Sequence, residues 1–114
     1  MIQRADIFAV NSNLSFDQLK TLITKTGHTR VPVYEKTLDN VIGFIHIKDL
    51  IGKIDEDQNN FNILENLRKI LIVPPSMKLV DLVMKMRVAR VHIAIVVDEY
   101  GGTDGLVTIE DLIE

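Results

Sequence analysis

The sequence predicts an α+β fold of two βαββα repeats packed about a pseudo-twofold axis, and three observations predict it. First, Gly105-Leu106-Val107-Thr108-Ile109-Glu110-Asp111-Leu112-Ile113 repeats the pattern of Gly43-Phe44-Ile45-His46-Ile47-Lys48-Asp49-Leu50-Ile51 at a constant offset of 62 residues. Second, Ile7, Val10 and Leu19 match Ile70, Val73 and Leu82 at an offset of 63, and self-similarity at a fixed period marks a repeat architecture. Third, a chain of 114 residues holds two units too small to stand alone, since about 50 residues bury too little surface for independent stability. The repeats are therefore expected to share one core. Their boundaries are 1–52 for the first repeat, 53–69 for a linker with a short helix, and 70–114 for the second, truncated at its last helix.

In the first repeat, the apolar run Ile7-Phe8-Ala9-Val10 stops at Asn11-Ser12-Asn13, which breaks regular structure. Ser15 and Gln18 have capping-box spacing, Leu19, Leu22 and Ile23 follow at helical spacing, and Gly27 is a terminator, so a helix is expected over 15–26. Val31-Pro32-Val33-Tyr34 reads as a strand whose proline confines it to an edge or an end. Asp39-Asn40 turns the chain, Val41 to Ile45 supplies the next strand, and a second helix begins near Ile47. Gly52 to Asn60 is a polar linker whose run Asp55-Glu56-Asp57 reads as a solvated stretch. Ile63, Leu67 and Ile70 suggest the short helix that leads into the second repeat.

There Leu79, Leu82, Val83 and Met86 repeat the helical face, and Ile93-Ala94-Ile95-Val96-Val97 is a continuous apolar strand of the kind buried on both sides. Asp98 to Asp104 is the tight return, its glycines permitting positive φ. The change of offset from 63 to 62 is explained by a one-residue gap between helix and strand, which aligns Arg30 to Ile51 with His92 to Ile113. Asp111 to Glu114 reads as a helix cut off after one turn, as in a piece of a longer protein.

Charge and composition narrow the function. A net charge of −3 with scattered Lys and Arg offers no footprint for nucleic acid. Without cysteine there is neither a disulfide framework nor a thiolate site. No run approaches the roughly 18 apolar residues of a membrane span, and no leader precedes Asp6, so the fragment is expected to be soluble. His28, His46 and His92 lack metal-ligand spacing and neighbour no nucleophile motif. With no P-loop and no evident base, an enzyme is not expected. Met77, Met84 and Met86 read as core-fillers or a dimer face.

The repeated unit, ending in Gly-apolar-apolar-Thr-apolar-acidic-Asp, resembles the CBS (cystathionine β-synthase) domain, and two in tandem resemble a Bateman module. More narrowly, Gly27-His28-Thr29-Arg30-Val31-Pro32-Val33-Tyr34-Glu35 and Arg90-Val91-His92-Ile93-Ala94-Ile95-Val96-Val97-Asp98-Glu99-Tyr100-Gly101-Gly102 resemble the CBS pair of the CorC/CNNM (hemolysin-C-like) family. Met1 to Asp6 is similar to that family's lead-in, with Gln3 where a proline is usual. The resemblance covers the whole chain. It implies a cytoplasmic regulatory module that binds an adenine nucleotide, usually ATP with Mg²⁺. It also implies a parent protein with a membrane domain for magnesium, or magnesium and cobalt, efflux, and a homodimer of CBS pairs.

With that likeness in view, Asp111 and Asp49 each sit where a strand end meets a helix start, a rigid place for a carboxylate to accept from ribose hydroxyls. Thr108 would meet the base edge or a phosphate beside the free N–H groups of the opening turn, although Thr108-Ile109-Glu110-Asp111 is also an acceptable helix cap. Arg30 would hold phosphate through its planar fork, with an exposed strand-edge arginine as the competing reading. Ile7 and Val31 would wall the adenine, or be plain core. If the twofold brings Thr29 and Arg30 to Thr108 and Asp111, one cleft collects the polar set, and the second, with His46 and Asp49, is weaker. Mg²⁺ would be held mainly by phosphate and water. A module that dimerises without ligand is the alternative.

Overall fold

The computed structural model describes residues 1–53 and 61–112, the side chain of Asp111 excepted. The run Asp55-Glu56-Asp57, the Asp111 carboxylate and the chain end at Ile113 and Glu114 lie outside the described residues. The element order is β1 (Ile2–Gln3), a 3-10 turn (Arg4–Asp6), β2 (Val10–Asn11), α1 (Phe16–Thr26), β3 (Arg30–Tyr34), β4 (Val41–His46) and α2 (Ile47–Ile51). It continues with a 3-10 turn (Ile63–Asn66), β5 (Leu71–Val73), α3 (Leu79–Ala89), β6 (Ile93–Val97), β7 (Thr103–Thr108) and α4 (Ile109–Leu112). From β2 and from β5 onward the order is βαββα twice, as expected.

The local signals explain the helices. Ser15 and Gln18 form the complete capping box of α1, and Gly27 closes it at φ 75°. In α2, His46 takes the capping role, its side chain accepting from the Lys48 N–H. Between the repeats the expected short helix is a single 3-10 turn. Asn62 caps it, and Leu67 is already extended because Arg68 must pair with Phe44.

β2-β3-β4 form one sheet and β1-β7-β6-β5 the other. Val10 pairs in parallel with Val33, as Val73 does with Val96, so β3 and β6 correspond at an offset of 63. Arg30 pairs with His46 while Ile93 pairs with Thr108, so β4 and β7 correspond at 62. The one-residue difference therefore lies in the hairpin turn, 35–40 against 98–102, and not between helix and strand as the sequence alone suggested. A turn absorbs an extra residue without flipping a strand, whereas a slip within a strand exchanges its two faces. Consequently Thr29 corresponds to His92 and Arg30 to Ile93. The carbonyls of Thr29 and His92 accept from Ile47 and Ile109 N–H groups in matching ways, at 2.8 and 2.9 Å.

Three apolar clusters stack through the molecule. Phe16, Leu19, Ile23 and Leu50 close over Val10, Val31, Val33 and Ile45 on the outer face of the first sheet. Leu82 and Met86 close over Val73, Ala94, Val96 and Val107 on the second. Between the sheets, Phe44 meets Ile70, Ile93, Ile95 and Leu106, with Ile2 and Ile7 at the margin. Of the expected face of α3, Leu79 is instead 57% exposed, because Leu82 and Met86 alone reach the sheet.

Each hairpin also accepts a strand from the connection belonging to the other repeat. β1, at the start of the first repeat, pairs antiparallel with β7, and Arg68 bridges Phe44 on β4. Close approach requires glycine at both places. A Cβ on Gly43 would lie 2.8 Å from the Arg68 carbonyl, and one on Gly105 would lie 2.8 Å from that of Ile2. Asp39 adds a polar tie, accepting from Arg4 and from the Thr103 N–H at 3.0 Å, while the Thr103 hydroxyl donates to the Leu38 carbonyl at 2.7 Å. The Thr103 N–H first, and then Arg4, hold the Asp39 carboxyl below its usual value.

Candidate functional site

The strand ends β3, β4 and β7 and the opening turns of α2 and α4 bring the candidate residues to the margin between the two sheets. Arg30, at the first position of β3, extends from one repeat to the other and donates to Glu110 Oε1 on α4 at 3.0 Å. Thr108 also hydrogen-bonds Glu110. Partial burial opposes the charge of Glu110, but its own backbone N–H, Arg30 and Thr108 outweigh it and hold the carboxyl below its usual value. Glu110 thus gathers two of the expected residues, Arg30 and Thr108, from opposite halves.

The other expected residues are distributed differently. Thr29 is exposed and its carbonyl anchors the start of α2. Ile7 is half-buried against the cluster between the sheets. Val31 is 0% exposed within the first outer core, so its side chain offers no surface to an open cleft. Asp49 is taken by Arg68 in a bidentate pair at 2.9 and 2.8 Å. That pairing is the largest cause holding the Asp49 carboxyl below its usual value.

His46 faces Arg30 across the β3–β4 ladder, and both line one cleft, in which Asp49, expected beside His46, is not a lining residue. This cleft has a volume of about 460 Å³ and is floored by Phe44 and Val91. Burial first, then the charges of Arg68, Arg30 and Lys48, lower the pKa of His46 from 6.5, so its neutral ring is favoured. His28 stacks on Phe8 with ring centroids 5.1 Å apart. Among the described residues no group of three or more His, Asp or Glu is disposed to hold a metal ion.

Sequence reasoning passed over Glu110 and Arg68. Glu110 had a signal: Lys48 occupies its position in the first repeat, a reversal of charge at an otherwise matched site. Arg68 had none, because it lies in the connection and gains its place only when that connection docks on β4.

Comparison with known proteins gives three consistent results. The CBS domain family matches residues 2–56 and again 65–114. The chain is 55% identical over 115 aligned residues to a "Hemolysin C homolog" of Rickettsia massiliae, all of this chain aligning with 38% of that protein. The chain thus spans well under half the length of the curated relatives it matches. Among solved structures, the CBS domain of a bacterial CNNM/CorC family Mg²⁺ transporter in complex with ATP superimposes with a TM-score of 0.94 at 36% identity, over 100% of this chain and 81% of that one. A CBS-domain pair with bound AMP from Klebsiella pneumoniae gives 0.84 at 25% identity, over 99% and 91%. No helix among the described residues is long and apolar enough to cross a membrane.

Proposed function

We propose that this chain, which belongs to the CBS-domain family as a tandem pair of the CorC/CNNM (hemolysin-C-like) type, is the adenine-nucleotide-sensing regulatory module of a divalent-cation transport protein. The observation that carries this reading is the Arg30–Glu110 contact, which ties the first repeat to the opening turn of α4. Thr108 and Asp111 would hold the sugar and base end, and Arg30, with Thr29 beside it, the phosphates. Ile7 supplies apolar contact to the base. Val31 contributes the strand that carries Arg30. Mg²⁺ would ride on the phosphates and water, the usual mode for a hard cation that keeps much of its hydration.

A triphosphate arriving at Arg30 competes with the Glu110 carboxylate and repels it. Binding would then exchange an inter-repeat ion pair for contacts to ligand, and this differential interaction is what shifts an arrangement of two halves. The chain ends would pass that shift to a membrane domain of the parent protein on the cytoplasmic side, where it would govern magnesium or cobalt efflux. The ATP and AMP complexes of its structural relatives support the ligand class. Calorimetric titration with ATP and Mg²⁺ tests the reading: Glu110→Gln should tighten binding and Arg30→Ala weaken it, whereas no heat at millimolar nucleotide rejects it.

A second reading, compatible with the first, is self-association. Val80, Met84 and Val88 lie four residues apart on α3 and are 69%, 58% and 86% exposed, an apolar stripe suited to a second copy. Light scattering that gives a monomer at all concentrations removes it.

A further inference from the structure

The two outer cores are built alike and closed unequally. The helix ends already differ, with Arg90 strained by its Cβ at φ 55° where the first repeat has Gly27 at φ 75°, but the larger difference lies over the sheets. In the first repeat Phe61 sets its ring edge-on against Phe16, centroids 5.1 Å apart. Two residues on, Ile63 is buried among Val10, Phe16, Leu19, Val33, Ile45 and Leu50. The connection therefore covers the outer core of the first repeat.

The equivalent place in the second repeat is open. Val73, Leu79, Leu82, Val96, Val107 and Leu112 are the counterparts of those six residues, and they line a groove of about 290 Å³. Leu79 is 57% exposed against 2% for Phe16. An apolar space of roughly 150 Å³ already admits a benzene ring, so the groove has room for an apolar side chain. Apolar surface left open in this way marks a contact site.

The crossing of the connections gives the direction from which a cover would arrive. Arg68 bridges Phe44 on β4 and Ile2 pairs with Leu106 on β7, positions that correspond at the offset of 62. The residue before each lies over the hairpin glycine. Leu67 Cδ2 is 3.3 Å from where a Cβ on Gly43 would stand, and Met1 Sδ is 2.6 Å from where one on Gly105 would. Met1, which also lines the groove, is thus the counterpart of Leu67, and the counterparts of Phe61 and Ile63 fall six and four positions ahead of it. The curated relatives are long enough to supply them, all of this chain aligning with 38% of one.

We propose that the outer groove of the second repeat is the docking site for a stretch of the parent polypeptide joined ahead of Met1, which seats an aliphatic side chain four positions before Met1 as Ile63 is seated before Leu67. Val73, Leu79, Leu82 and Leu112 receive that side chain. Because Met1 continues directly into β1, which pairs with β7, a domain attached through this stretch is anchored to the second repeat and not to the first. Docking there requires no nucleotide. In the parent sequence the fourth residue ahead of Met1 should be aliphatic, and a charged one there overturns the proposal.

The experiment places a copy of Phe61 to Asn66 ahead of Met1 in the 114-residue chain, beside a control whose copy carries Phe61→Ser and Ile63→Ser. Against the control, the apolar copy should raise the thermal midpoint by about 3 °C or more, the scale on which a new apolar contact registers in a chain of this size. Leu79→Ser should remove most of that gain while shifting the unextended chain by no more than about 1 °C, as expected of an exposed position. Equal midpoints for copy and control, or a gain that Leu79→Ser leaves intact, overturns the proposal. So does light scattering in which the unextended chain is a dimer that Leu79→Ser takes apart, since a second copy of the chain then fills the groove.

Discussion

Where β3 of the first repeat begins with Arg30, β6 of the second begins with Ile93, which is 0% exposed; where α4 opens with Glu110, α2 has Lys48. The two repeats follow one path, yet an ion pair joins them on one side of the pseudo-twofold and its counterpart, Ile93 with Lys48, has none to make. The caps differ in the same sense, with Gly27 against Arg90, and so do the strand ends, with His46 against Thr108. Equal backbones with unequal side chains at the meeting line give an ion-paired margin at Arg30 and Glu110 and, beside it, a cleft lined by Arg30, Arg68, Lys69 and Arg90. A duplicated fold needs only a few substitutions at that line to make its halves chemically distinct, because the outer cores are free to stay alike.

The outer cores give the largest test of that last statement. Leu19 and Leu82 occupy equivalent positions, at 0% and 6% exposure, but Leu82 borders a cavity of about 290 Å³ that Met77 and Leu112 also line. Leu19→Ala should cost about 3 to 5 kcal/mol and Leu82→Ala nearer about 2, since truncation beside existing space forfeits fewer contacts. Chemical denaturation measures both, and equal losses would mean that the second core is as closed as the first.

The caps come next. Gly27→Ala should destabilise by about 1 kcal/mol because a Cβ is disfavoured at positive φ. Arg90→Gly should change stability by less than that, or raise it, as relief of strain offsets the greater freedom of glycine in the unfolded chain. Thermal melts of the two variants decide whether the caps are as unequal as their φ values suggest.

The smallest effect is in pH. The folded chain lowers the His46 pKa below 6.5, through burial first and then Arg68, Arg30 and Lys48. Its contribution is complete above the unfolded value and is lost as pH falls through about 6.5 toward the lower folded value, where the unfolded chain binds the proton first. Stability should therefore decline on mild acidification, and His46→Thr, which installs the residue of the second repeat, should flatten the slope. An unchanged slope would place the titration elsewhere.

Much of this was legible in the sequence because it rests on local signals. The capping box at Ser15, the terminator Gly27, the apolar run Val31-Pro32-Val33-Tyr34 and the paired motifs at Gly43 and Gly105 specify their own conformation and fix the βαββα order. What escaped depends on long-range placement. The offset of 63 or 62 is ambiguous along β3 and β6 because Val31-Pro32-Val33 aligns acceptably with either Ile93-Ala94-Ile95 or Ala94-Ile95-Val96. Only the ladders Val10 to Val33 and Val73 to Val96 decide it. That choice moved the counterpart of Arg30 from His92 to Ile93. The same limit hid the crossing of β1 onto β7 and of Arg68 onto β4, which occupies Asp49 and leaves Asp111 as the aspartate the nucleotide reading needs.

On the function proposed above, the two repeats, alike in trace, build one nucleotide site and not two. Calorimetric titration of ATP with Mg²⁺ into the wild-type chain, Asp111→Ala and Asp49→Ala addresses it most directly. One equivalent should bind the wild type, with affinity reduced about tenfold or more by Asp111→Ala and held within about threefold by Asp49→Ala, a gap of nearly 1 kcal/mol. Two equivalents per chain, or equal losses from the two aspartates, would contradict it.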